Sequence, residues 1–251
     1  MLASGSSGNS TFVATERTRI LIDDGLSFRE LSSRLASIGE TTQKLDAVLV
    51  SHEHSDHVSG LPLLLRKVRI PVYLTELTAP AIAWNDCVPC VEAFQAGCRF
   101  SIGDLEVDSF TVPHDATDPV AFAFRAAGVK VALVTDLGYI PESIKYHLRG
   151  TDLLVLESNH DLEMLKVGPY PWSVKQRVMG RKGHLSNDVV SDFIRRDLDP
   201  STSTLVLGHL SENNNHPELV RLVARQALDG RSLCTRLVIA GQKQPTEVFI
   251  L

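Results

Sequence analysis

At 251 residues, with 43% apolar and 22% charged side chains, the chain is long for one average domain and short for two. It carries enough apolar content to bury a large core without disulfide or structural-metal staples, so a bound metal is expected to be functional. A formal net charge of −5 does not mark a nucleic-acid binder as a whole, and a basic patch has to be sought locally.

In chain order, Thr11–Ala14 and Ile20–Ile22 read as strands joined by the charged turn Glu16-Arg17. Leu26–Ile38 sets Leu31, Leu35 and Ile38 at helical spacing, with Gly39 as its C-terminal stop. Ala47–Val50 is a short apolar strand running into Ser51-His52, Leu61–Val68 a helix ending in basic residues, and Val72–Leu74 a strand. Further strands are predicted at Leu105–Val112, Val120–Arg125, Val129–Thr135, Leu153–Leu156, Leu205–Leu207 and Val248–Leu251. Helices are predicted at Pro141–Leu148, Asn187–Leu198 and Pro217–Leu228. Grouped strands with helices between the groups suit a sheet-on-sheet core with outer helices better than simple βαβ alternation. With no repeat and no long linker, one domain over residues 1–251 is the economical reading.

No run approaches the roughly 18 apolar residues of a membrane span. Met1-Leu2-Ala3-Ser4-Gly5-Ser6 has neither a basic region nor a long apolar run, so no signal peptide is expected. Cys87, Cys90, Cys98 and Cys234 show no secreted disulfide pattern, and the expected location is the cytoplasm. Cys87-Val88-Pro89-Cys90 has CxxC spacing, but only Cys98 lies close enough in sequence to add a zinc ligand, so no role is assigned to it.

Ser51-His52-Glu53-His54-Ser55-Asp56-His57 places three histidines and an aspartate directly after an apolar strand. Imidazole and carboxylate are ligands that zinc, manganese and iron accept. His114, Asp136 and His209 follow other predicted strands, and functional residues gather at such strand ends. Any one of these could be a capping or surface residue. Together the seven donors His52, His54, Asp56, His57, His114, Asp136 and His209 are about right for two ions with an open position.

Substrate signals are local. Small residues in Ser4-Gly5-Ser6-Ser7-Gly8-Asn9-Ser10 expose backbone N–H groups that can cradle an anion, with Ser7 and Asn9 as candidate phosphate contacts; a plain turn is the competing account. Residues 165–186 contain Lys166, Lys175, Arg177, Arg181 and Lys182 and no acid, interleaved with Tyr170 and Trp172. Basic side chains give sequence-independent affinity for phosphate and aromatics stack on bases, against the alternative of a solvated basic surface. Gly183-His184-Leu185-Ser186-Asn187 opens a helix whose cap, Ser186 or Asn187, could face a phosphate, and His184 could protonate a leaving group.

His52-Glu53-His54-Ser55-Asp56-His57, with Asp23, His114, Asp136 and His209 in order, resembles the HxHxDH signature of the metallo-β-lactamase superfamily across almost the whole chain. The resemblance implies an α/β (α+β) fold, a four-layer αββα sandwich with a dinuclear site at one edge of the two sheets. It implies that His52, His54 and His114 hold one divalent ion and Asp56, His57 and His209 the other, with Asp136 between them. Asp23 would orient a ligand histidine. Two such ions (zinc or manganese, with iron acceptable) share and acidify a water, Asp56 can accept its proton, and no serine or cysteine nucleophile is needed.

Gly5-Ser6-Ser7-Gly8-Asn9-Ser10, Glu157-Ser158-Asn159-His160-Asp161, Gly168-Pro169-Tyr170-Pro171, Gly183-His184-Leu185-Ser186-Asn187 and Gly208-His209-Leu210-Ser211-Glu212-Asn213-Asn214 look like the YycJ-type (WalJ) branch. That branch is similar to ribonucleases Z and J and is regarded as a group of DNA exonucleases acting from 5′ ends. Related chains carry a few more residues before the Gly-Ser loop, so a clipped N-terminus is expected. The implied function is a two-metal phosphodiesterase acting on nucleic acid, DNA in the first place. Alternatives are a small-molecule phosphodiesterase and a metal-binding regulator without turnover; oligomeric state is not indicated.

Overall fold

The structure is a computed structural model that describes residues 1–251. It divides into two compact units, both discontinuous in sequence: residues 1–111, 116–120 and 242–251 form the first, and residues 112–115 and 121–241 the second.

The first unit holds strands β1 (Thr11–Ala14), β2 (Arg19–Ile22), β3 (Ala47–Leu49), β4 (Pro71–Thr75) and β5 (Cys90–Phe94) in that spatial order. The β1–β2 pair is antiparallel and the other pairs are parallel. Its helices are α1 (Phe28–Ser37), α2 (Ser55–Val58) and α3 (Leu61–Lys67). Ser27 caps α1 by accepting from the Glu30 N–H, which satisfies one of the donors a helix start leaves over. Leu31 and Leu35 of α1 and Leu61 and Leu64 of α3 are fully buried with Leu21, Val48 and Val72 of the sheet. Each such side chain contributes about 1.5–3 kcal/mol on burial. β6 (Arg99–Ile102) and β7 (Leu105–Thr111) form an antiparallel hairpin whose turn residue Asp104 accepts from Thr15 and Thr18.

The second unit holds β8 (Val120–Ala126), β9 (Val129–Val134), β10 (Leu153–Glu157), β11 (Thr204–Gly208) and β12 (Arg236–Ile239). β8 pairs antiparallel with β9, while β9, β10, β11 and β12 run parallel in sequence order. Between them come α4 (Glu142–Leu148), α5 (Leu162–Val167), α6 (Trp172–Val178), α7 (Asn187–Arg196) and α8 (Pro217–Asp229). β10 and β11 are buried throughout, which is why both read as unbroken apolar runs.

Most elements stand within two residues of their predicted bounds, with one correction at the end of the chain. Val248–Leu251 forms no strand; Val248 and Ile250 are exposed and pair with nothing that would hold them extended. The last strand is instead β12, where Leu237 is buried. β5 and β6 were not legible because β5 is exposed along most of its length and β6 along half, so neither has an apolar pattern to show. No helix is long and apolar enough to cross a membrane.

Candidate metal centre

In the first unit the loop His52–His57 leaves β3 and is fixed by Asp23, which follows β2. Asp23 adopts a left-handed backbone conformation (φ 58°), and its carboxylate accepts from the Ser51 N–H and Ser51 Oγ, both at 2.8 Å. The same carboxylate lies 2.8 Å from His57 Nδ1, so that nitrogen carries the proton and Nε2 carries the lone pair. Ser51 Oγ, having donated to Asp23, accepts from His52 Nδ1 at 3.0 Å and sets the same tautomer there. Asp23 thereby fixes the orientation of the His57 ring.

His52 Nε2 and His54 Nδ1 converge 3.1 Å apart. Two ligands on one tetrahedral ion with bonds of about 2.0 Å are separated by roughly 3.3 Å, so the spacing fits a shared cation. His52 and His57 are buried, whereas His54 and Asp56 are half-buried. Glu53, between them, accepts from the Thr117 N–H and hydroxyl, which, with the His54 charge, hold its carboxyl below the usual carboxylate range against the opposing effect of its partial burial.

In the second unit the parallel register does the positioning. Leu156 stands opposite Val134, and Glu157 opposite Gly208, so β9, β10 and β11 end side by side. Asp136, Glu157 and His209 therefore meet at one sheet edge, and ligand atoms from these three and His184 lie within 4.8 Å of one another. Asp136 (φ 60°) and His209 (φ 55°) are in the left-handed region, the sharp turn that aims each side chain back over the strand ends. His114 enters from the segment after β7, its Nδ1 3.3 Å from the Gly183 carbonyl and its Nε2 4.0 Å from Asp136 Oδ1.

Sequence alone assigns no role to Glu157, which stands inside Glu157-Ser158-Asn159-His160-Asp161. It is fully buried, and its Oε2 accepts from His209 Nδ1 at 2.9 Å, His184 Nδ1 at 3.0 Å and the Asp136 N–H at 2.8 Å. Burial opposes its charge, but the His184 and His209 contacts outweigh burial and hold its carboxyl far below the usual range. Burial likewise works against a charged His184, yet the Glu157 carboxylate prevails and moves that imidazole upward. His114 moves the other way, because burial dominates. The one signal for Glu157 was an acid closing the apolar run Leu153-Leu154-Val155-Leu156. His160 is buried two residues past the Ser158 turn and is lowered to about 4 by that burial.

The substrate candidates divide. Ser7 is exposed on its loop. Asn9, in contrast, is 5% exposed, with both amide hydrogens on Asp56 and His57 and its oxygen on the Gly5 N–H, which corrects its reading as a phosphate contact. Lys175 is corrected too: it is 8% exposed and its Nζ donates to the Lys166 carbonyl at 2.7 Å, tying α6 to α5. Arg177 pairs with Asp115, and Arg181 lies over the Tyr139 ring at 4.5 Å; both side chains are at the surface, as is Trp172 at 62% exposure. Ser186 caps α7 by accepting from the Val189 N–H. Asn187 is buried, with its carboxamide closed on Ser158 and Asn215, so its reading as a phosphate contact is corrected as well. All 4 cysteines are free.

A fold of mixed sheets and helices carrying His and Asp clusters of this kind is that of the metallo-β-lactamases. The family model described as a Beta-lactamase superfamily domain matches residues 18–209, and the chain belongs to that superfamily. Within it, the chain is 38% identical over 237 residues to the Exodeoxyribonuclease YycJ of Bacillus anthracis, covering 91% of this chain and 88% of that one. It is 37% identical over 227 residues to the Exodeoxyribonuclease WalJ of Streptococcus pneumoniae, covering 88% and 84%. Among solved structures, the metallo-beta-lactamase fold protein YhfI of Bacillus subtilis superposes with a TM-score of 0.72 at 18% identity over 96% of this chain and 95% of that one, a likeness of fold.

Proposed function

We propose that this chain is a two-metal phosphodiesterase, one hydrolase domain over residues 1–251, that removes nucleotides from the 5′ end of DNA in the cytoplasm. The observation that carries the reading is the near-full-length likeness to two proteins named as exodeoxyribonucleases. The donor chemistry supports it: paired imidazoles after β3 and a buried carboxylate–imidazole set after β9, β10 and β11 suit divalent ions. His52, His54 and His114 would hold one ion, Asp56, His57 and His209 the second, and Asp136 both. Zinc and manganese both suit these donors.

When bound, the two ions supply Lewis acidity, acidifying water and neutralising charge at the scissile phosphate. The protein's own groups then act around that chemistry. Asp56 is the proton acceptor for the attacking water. His184, with Nδ1 held by Glu157 and its charged form favoured, has a proton on Nε2 to give to the leaving oxygen. Ser7, Arg177 and Arg181 bind the phosphate backbone and Trp172 stacks on a base, while Ser186, buried as the cap of α7, holds the helix start.

End-labelled double-stranded DNA, incubated with protein loaded with manganese or zinc, tests this directly. Stepwise release of nucleotides from the 5′ label, absent with His54→Ala, is the expected result. Intact DNA beside a hydrolysed small bis-aryl phosphodiester would replace the reading with a small-molecule phosphodiesterase. Intact DNA and intact diester with both ions bound would remove it altogether.

A further inference from the structure

The loop Ser4–Ser10, by composition a candidate anion cradle, is threaded inward against the loop His52–His57. The Asn9 N–H donates to the Asp56 carbonyl at 2.7 Å, and the Gly25 N–H donates to the Asn9 carbonyl at 3.0 Å. The approach is so close that a Cβ on Gly25 would fall 1.7 Å from the Asp56 carbonyl oxygen. Gly8, at φ +148°, stands where a Cβ would fall 2.7 Å from the Gly25 carbonyl oxygen. The two glycines serve contact between three backbone segments.

The Asn9 side chain completes that contact. Its Oδ1 accepts from the Gly5 N–H at 2.8 Å, which assigns the orientation of the amide, since the flipped form would set two donors face to face. Nδ2 then points at Asp56 Oδ2 at 3.1 Å and at His57 Nε2 at 3.0 Å. His57 Nδ1 is the protonated nitrogen because of Asp23, so Nε2 accepts. One amide nitrogen thus spends its two hydrogens on the two residues of the loop that are expected to ligate the same ion.

We propose that Asn9 is a positioning residue for that ion: it presets the Asp56 carboxylate before metal arrives, releases the His57 lone pair when the ion takes it, and selectively supports the Asp56–His57 pole over the His52–His54 pole. Asp23 holds the His57 ring through Nδ1, a contact that coordination at Nε2 leaves intact, and Asn9 holds Asp56 with a donor that a metal does not replace. Partners of this kind typically affect metal affinity by about 10- to 100-fold. The inference rests on the two-ion reading above.

Calorimetric titration of the full metal-free chain with manganese tests it, with the visible spectrum of the cobalt-loaded protein as a second readout. Wild type is expected to show two binding events. Asn9→Ala is expected to weaken one of them about 10- to 100-fold, to leave the other within about 2-fold, and to alter the cobalt spectrum of the weakened site only. Equal weakening of both events, or no change in a folded variant, would overturn the role. Asn9→Asp keeps the acceptor for Gly5 but places a carboxylate beside Asp56. Its melting temperature without metal is expected to drop, and its rise on adding manganese to exceed that of wild type. An unchanged rise would also count against Asn9. Wild type binding fewer than two ions would remove the two-ion reading and this inference with it, whatever the variants do.

Discussion

The two clusters of donors are assembled by opposite means. After β3, four of the six residues His52–His57 are donors, and the chain needs only to be held in place; Asp23, Ser51 and Asn9 do so through side-chain hydrogen bonds. After β9, β10 and β11 the donors are tens of residues apart in sequence, and the parallel register brings them to one edge. The first arrangement is local and depends on polar partners from elsewhere. The second depends on the whole sheet and is locked at its centre by one buried acid, Glu157. Contiguous ligands make a motif, whereas convergent ligands make a site only once the strands are paired.

The contrast can be broken at its strongest point first. His54→Ala removes a donor that no neighbour can replace, and activity on DNA is expected to fall to background, with one equivalent of metal lost by elemental analysis. Glu157→Gln leaves every proposed ligand in place and alters the shared acceptor of His184, His209 and the Asp136 and Leu185 N–H groups. It should cost about 10- to 100-fold in kcat with less effect on KM, read from steady-state kinetics. A Glu157→Gln enzyme of full activity would show that strand register alone orders the second cluster.

A pH series sharpens the same comparison through stability. His160, beside Glu157 in sequence, is lowered from an ordinary 6.5 to about 4 in the folded state by burial. Between those values the unfolded chain binds the proton and the folded chain does not, so stability falls as pH falls. The slope is about 1.4 kcal/mol per pH unit for this one group. Urea unfolding of the metal-free protein from pH 7 to pH 4 should show that loss, and His160→Gln should flatten it.

The smallest effect concerns the basic stretch. An Arg177→Ala, Arg181→Ala pair is expected to weaken DNA binding several-fold and to reduce the salt slope by up to about 2, measured by fluorescence anisotropy across a salt series. Lys175→Met should leave the salt slope unchanged, since its amine is spent on the Lys166 carbonyl, and lower the melting temperature instead. A flattened slope for Lys175→Met would return that residue to the DNA-binding surface.

Much was legible in the residues alone. β2, β3, β10 and β11 are buried on both faces, so each declared itself as an apolar run, and α1, α7 and α8 declared themselves by spacing and caps. The HxHxDH sequence and the positions of His114, Asp136 and His209 marked the candidate donor set, because His and Asp next to one another or at strand ends have few structural reasons to be there. Exposed β5 and β6 carried no such pattern, and Val248–Leu251, apolar in composition, found no strand to join.

Residue type and spacing therefore determined the family and the main elements and marked the candidate donors, since these depend on chemistry and period along the chain. Tertiary structure decided the roles of side chains whose partners are distant in sequence. Asn9 faces Asp56 and His57 rather than a phosphate, Lys175 caps a neighbouring helix rather than meeting DNA, and Glu157 holds two histidines. A polar side chain's role is set by where its hydrogen bonds end, and that is fixed only when segments far apart along the chain have packed together.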